Sequence, residues 1–141
     1  NMFNSITQFR EGGHSFSEEA RNDLRVFGSA AQEILEATVH DYATLNTRLA
    51  ETVQIYREII TDMHGKISKR NVRRLHSGEC GQDNNHVFSD LCAGYERIVD
   101  RCDSIASHIL TAAGEAVRTP SQEQYDAIMA LFVDKFEELD S

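Results

Sequence analysis

From Phe88 to Ile109 the apolar residues of this chain recur at alternating steps of three and four: Phe88, Leu91, Tyr95, Ile98, Cys102, Ile105 and Ile109. That rhythm places one residue per turn on a single helix face, as in helices packed at shallow angles. The same spacing recurs in three more stretches. Leu24, Phe27, Ala31, Ile34, Thr38, Tyr42 and Leu45 form one stripe, Leu49, Val53, Tyr56, Ile60, Met63 and Ile67 a second, and Tyr125, Ile128, Met129, Phe132, Phe136 and Leu139 a third. With a single proline in 141 residues, little in the chain can stop a helix. The fold class that follows is all-α: an antiparallel bundle of three long helices plus a fourth, C-terminal helix, over residues 15–141. Residues 1–14 form a polar lead-in, read as a link from a parent chain.

The boundaries come from capping chemistry. Ser15 and Glu18 stand at capping-box spacing, with Ser17 as an alternative N-cap. Asn46 is a suitable N-cap for the second helix, because its side chain can accept from the free N–H groups of the next turn. Ser77–Asn85, with two glycines among small polar residues, reads as a loop. Thr119-Pro120-Ser121-Gln122 opens the fourth helix, with Thr119 as N-cap and Pro120 at the tolerated first position.

Charge narrows the function. Fourteen Lys and Arg against 23 Asp and Glu give a net charge of −9. Nucleic acid is thereby excluded as a partner, since its phosphates require clustered cations. The cysteines Cys80, Cys92 and Cys102 contain no CxxC pair and read as reduced thiols in a cytosolic setting, with Cys102 an apolar packer. No stretch of roughly 18 apolar residues is present, so this segment itself does not span a bilayer.

Two acidic motifs stand out, Glu58-Ile-Ile-Thr-Asp62 and Glu96-Arg-Ile-Val-Asp100. Residues four apart lie one above the other on a helix, so each motif sets two carboxylates side by side. At ~100° per residue, Glu96 and Asp100 fall roughly 130–170° from the apolar seam of their helix, and Glu58 and Asp62 about 160–180° from theirs. Both pairs are therefore expected on the outer surface. They make either a solvated acidic face or, on neighbouring helices, a four-carboxylate site for a hard divalent cation or iron. Asp103 shares the side of Glu96 and Asp100 and would be an auxiliary ligand. A buried di-iron site would need inward Glu-x-x-His pairs, and the sequence has none. No nucleophile–base arrangement is recognisable either, so an enzyme is not expected. The run Lys66, Lys69, Arg70, Arg73 and Arg74 closes the second helix, where the dipole favours cations. Its functional alternative is an electrostatic contact with anionic lipid or an acidic partner.

Three segments together resemble a known family. These are Phe16-Ser17-x-Glu19, Arg73-Arg74-Leu75-x-x-Gly78-x-Cys80, and Tyr95-Glu96-Arg97-Ile98-Val99-Asp100-Arg101-Cys102-x-x-Ile105-Ala106. They look like the PhoU-like domain at the C-terminus of bacterial sodium/phosphate cotransporters, over roughly residues 16 to 110. The resemblance implies a non-enzymatic regulatory bundle on the cytoplasmic side of the cell membrane. Its partner would be the transmembrane transporter domain of the parent chain. It also implies that Glu58, Asp62, Glu96 and Asp100 bind a metal on the bundle surface. This sequence departs from the family's pattern at Arg101 and Asn71, where related chains tend to have His, and at Asp103, where they tend to have Asn. The alternative expectation is a metal-free interaction module that docks a partner helix or forms a homo-oligomer through its fourth helix.

Overall fold

A computed structural model describes residues 16–44, 49–114 and 120–140. The expectations for the lead-in 1–14, Ser15, Leu45, Asn46 and Thr119 fall outside these residues. The described residues form five helices and no strand: α1 (Glu18–Ala43), α2 (Leu49–His76), α3 (Gln82–Ala113), α4 (Gln122–Met129) and α5 (Val133–Asp140). The all-α bundle is thus the observed architecture. None of the helices is long and apolar enough to cross a membrane.

Ser17 is the residue that starts α1, its hydroxyl accepting from the Ala20 amide at 3.2 Å. Glu18 and Glu19 then occupy the first turn, where the helix dipole favours negative charge. α2 ends in a turn around Gly78, whose φ of +81° only glycine adopts without cost. That turn lets the amides of Glu79 and Cys80 return to the Arg74 carbonyl, at 2.9 and 3.2 Å. α3 then begins at Gln82, inside the stretch expected to be loop. Small polar residues suit either a loop or a first helical turn, and here a tertiary contact decides. The Asn71 amide of α2 donates to the Asn85 side chain at 2.6 Å, tying that turn of α3 to α2.

The three long helices enclose a main core, and Val53, Ala106, Ile109 and Leu110 form a second, smaller cluster. Phe27 of α1 lies at the centre of the main core, fully buried, stacked on His64 of α2 at 5.6 Å and edge-on to Tyr95 of α3 at 5.7 Å. Val26, Ala30 and Ile34 from α1, Ile55, Ile59, Met63 and Ile67 from α2, and Cys92 and Cys102 from α3 belong to the same cluster. A fully buried side chain of this size contributes about 1.5–3 kcal/mol relative to exposure. Gly28 sets the approach of α1 to α3, since a Cβ there would come within 3.0 Å of the Tyr95 hydroxyl. Contacts along α2 and α3 pair Asn71 with Asn85, His64 with Glu96 and Arg57 with Asp103, so these two helices run in opposite directions.

Two details of the stripes differ from expectation. On α3 the residues that bury are Val99 and Ala106, while Ile98 and Ile105 are half-buried. The apolar seam has rotated toward α2. On α1, Tyr42 is 52% exposed. Its position fifteen residues beyond Phe27 leaves it about 60° round the helix at ~100° per residue. Two consecutive steps of four, from Ile34 to Thr38 to Tyr42, carry it past the inward face, since each such step advances about 40° beyond a full turn. Thr38, one turn earlier on the same stripe, is buried as expected, with its hydroxyl donating to the Ile34 carbonyl at 2.7 Å.

The fourth helix is two helices. Ser121, not a residue before the proline, caps α4 through a full capping box with Gln124. The helix then breaks at Ala130–Phe132, where the amides of Leu131 and Phe132 bond three residues back. No glycine or proline is at this break. The bend serves packing: it delivers Phe132, 1% exposed, edge-on to Tyr56 of α2 at 5.9 Å.

All three cysteines are free thiols. Cys102 is fully buried and burial pushes its thiol up, as expected of an apolar packer. Cys92 is pushed up to about 12 by burial, with Glu96 and Asp23 adding to the effect.

Candidate functional site

The first charged assembly lies between the N-terminal turns of α1 and the last turns of α2. Its centre is an ion pair with no access to water. Arg74 and Asp23 are both fully buried and meet at 2.8 Å. Arg70 Nε reaches both Asp23 oxygens at 3.1 Å. Glu19, one turn earlier on α1, gathers three guanidiniums on a single oxygen: Arg73 at 2.6 Å, Arg74 at 2.9 Å and Arg70 at 3.2 Å. Arg74 also donates to the Asn71 side chain at 3.1 Å and lies over the Phe88 ring at 5.3 Å. Three members of the expected surface-contact run, Arg70, Arg73 and Arg74, are therefore paired with carboxylates of the same chain, Arg74 and Arg70 from inside the bundle and Arg73 from its exposed rim. Lys66 instead reaches Asp140 of α5 at 2.6 Å. Lys69 is exposed.

Burial opposes ionisation of Glu19, but the Arg74 hydrogen bond and the charges of Arg70, Arg73 and Arg74 outweigh it and hold its carboxyl below the usual range. A carboxyl depressed by folding stabilises the fold above its unfolded pKa, and that stabilisation is lost as pH falls through the folded value. The expected outcome concerns Glu19→Gln. The native chain should exceed this variant in urea midpoint at neutral pH, and the gap should narrow once pH drops below 4.5. A gap independent of pH between about 7 and about 3 would refute this role for Glu19.

The second assembly is the outer seam of α2 and α3, where the acidic motifs lie. His64 Nδ1 is 2.5 Å from Glu96, and both side chains are about two-thirds buried, at 28% and 35% exposed. Glu96 is thus less outward than its helix angle implied, because the seam of α3 is rotated toward α2. Further along, Arg57 lies 3.9 Å from Asp100 and 3.2 Å from Asp103. Glu58 and Asp62 are exposed on the adjoining face of α2, where with Gln54, Arg57 and Thr61 they line a polar groove of about 440 Å³. They point toward α4. The phenol of Tyr125 is pushed up by burial and then by the charges of Asp62, Glu58 and Asp126.

The two motifs are therefore on neighbouring faces with Arg57 between them, and they are not drawn together. Among the described residues no three His, Cys, Asp or Glu side chains converge in a metal-holding group. The four carboxylates do not meet at one point: Glu96 is on His64, and Asp100 and Asp103 are beside Arg57. The seam can link two helices by charge.

Sequence reasoning missed the first assembly. Glu19-Ala-Arg-Asn-Asp23 is a further Glu-x-x-x-Asp with the spacing of the two motifs singled out. Asp23 also falls on the apolar stripe of α1, between Ala20 and Phe27. A carboxylate in that phase needs a buried cation, and the run on α2 supplies it. Compared with protein-family models, curated proteins and solved structures, the chain matches none.

Proposed function

We propose that this chain is a regulatory PhoU-like helical bundle of a sodium-coupled phosphate transporter, held at the cytoplasmic face by the transmembrane part of a parent chain. The observation that carries the reading is the placement of the segments bearing the resemblance. Arg73-Arg74-Leu75 closes α2, the turn around Gly78 follows, and Tyr95–Ala106 forms the middle of α3 with Glu96 and Asp100 along its flank. The domain acts by contact: Arg57, His64, Arg70, Arg73 and Arg74 of α2 pair with carboxylates of α1 and α3, which suits transmission of a packing change. Sodium-driven phosphate uptake tests this in cells whose parent gene lacks the codons for residues 16–141. Removing the domain should raise uptake at high phosphate. Unchanged uptake, or a parent protein without sodium-driven phosphate transport, refutes the proposal.

A second reading, a metal-free interaction module, is favoured by the pairs His64–Glu96 and Arg57–Asp103. Exposed or half-exposed pairs of this kind contribute about 0–1 kcal/mol each. Glu96→Ala with Asp100→Ala should therefore cost no more than about 2 kcal/mol, and the metal content of protein purified without chelators should not change. Stoichiometric metal in the native chain that disappears from this variant would restore the metal-binding reading.

A further inference from the structure

α5 lies in a cleft between α1 and α2 as a ligand lies in a receptor, and its contacts spell a recognition code. Three apolar anchors face the cleft at i, i+4 and i+7: Phe132 and Leu139, at most 1% exposed, and the half-buried Phe136. The charges match across both rims. On α1, Arg25 pairs with Glu138, and Glu33 holds Lys135 at 3.1 Å. On α2, Lys66 takes Asp140 at 2.6 Å and lies 5.7 Å from the Phe136 ring centre. Arg70 donates to the Leu139 carbonyl at 2.5 Å, where a helix C-terminus favours a cation.

The attachment of this segment to the bundle is narrow. α4 has no fully buried residue and rests on α2 through the part-buried Tyr125, Ile128 and Met129 and a Gln124–Glu51 hydrogen bond, and α5 has only eight residues, too few for a stable helix in water without its cleft. The ion pairs sit at exposed rims, with side chains 37% and 60% exposed for Lys66 and Asp140, so salt weakens them.

We propose that the α1–α2 cleft is a docking site for an acidic amphipathic helix from a partner protein, and that α5 is its resident competitor. The partner carries aromatic or aliphatic anchors at i, i+4 and i+7, a cation at i+3, and carboxylates in its last turn. Being tethered, α5 competes at an effective concentration of order millimolar, so an outside helix binds only when its own affinity overcomes that occupancy. This inference does not depend on the transporter reading, and the test below uses no transport assay.

The test uses the full chain and a fluorescent peptide with the sequence of residues 131–141. Two variants loosen the resident helix: Phe132→Ala removes an anchor, and Glu138→Lys with Asp140→Lys reverses its exposed carboxylates without touching the core. Fluorescence anisotropy should show the peptide binding both variants at least tenfold more tightly than the native chain. Binding should weaken as salt rises. A peptide carrying the two lysine changes should bind the variants at least tenfold more weakly. If Phe132→Ala fails to fold, the charge-reversed variant decides alone. Equal binding to native chain and variant, or a lysine peptide that binds as well as the native sequence, overturns the proposal.

Discussion

Asp23→Ala should lower the unfolding free energy by about 3–5 kcal/mol, the cost of leaving a buried charge without its partner. For a chain of this length that is a fall in melting temperature of roughly 10–20 °C. Asp23 and Arg74 are both fully buried and meet at 2.8 Å, and Asp23 also accepts from Arg70. Without the carboxylate, Arg74 keeps Glu19, which is partly in water, and the neutral Asn71. Arg74 Nε already has no hydrogen-bond partner, so the guanidinium has no spare contact to fall back on. Replacing both members tells pair from packing: Asp23→Leu with Arg74→Met should recover most of the loss, because a buried ion pair and an apolar pair of similar volume are close in stability. Urea denaturation of the two variants beside the native chain is the measurement. A single-variant loss below about 1 kcal/mol would mean that water reaches the pair.

Why that pair was not read in advance says what local pattern can and cannot carry. The helices themselves were legible because period is a property of the chain alone: Phe27, Ile34, Met63, Ile67 and Phe88 bury where a three–four rhythm puts them. Phase over a long helix was less legible. Drift between the idealised rhythm and a real helix moved burial from Ile98 to Val99, and two consecutive steps of four carried Tyr42 outside. Partner choice was not legible at all. Arg70, Arg73 and Arg74 look like a helix-end cluster until α1 places Glu19 and Asp23 opposite them. Glu96 looks like half of a carboxylate pair until α2 places His64 beside it. The break before Phe132 has the same origin. Nothing local requires it, and it exists because Tyr56 offers a ring to pack against.

Phe27 and Phe132 are both at most 1% exposed, yet truncating them should have different consequences. Phe→Ala in a core costs about 3–5 kcal/mol through lost transfer energy and the cavity left behind. At Phe27 the full amount should appear in global stability, since its ring contacts His64 of α2 and Tyr95 of α3 and so touches all three long helices. At Phe132 the loss is capped. Its ring anchors α5, and once α5 has left the cleft, deeper weakening of that anchor changes nothing further. Local opening of this kind is set by the contacts of the segment that opens. Native-state hydrogen exchange separates the two outcomes. Phe27→Ala should speed exchange of the slowest amides throughout α1, α2 and α3 by about 100-fold or more, as 3 kcal/mol requires at 1.4 kcal/mol per decade. Phe132→Ala should speed exchange mainly in α4 and α5, leaving the slowest amides of α3 within about threefold of native. If Phe132→Ala accelerates the α3 amides as strongly as Phe27→Ala does, the C-terminal helices are part of the cooperative core and not a segment that docks upon it.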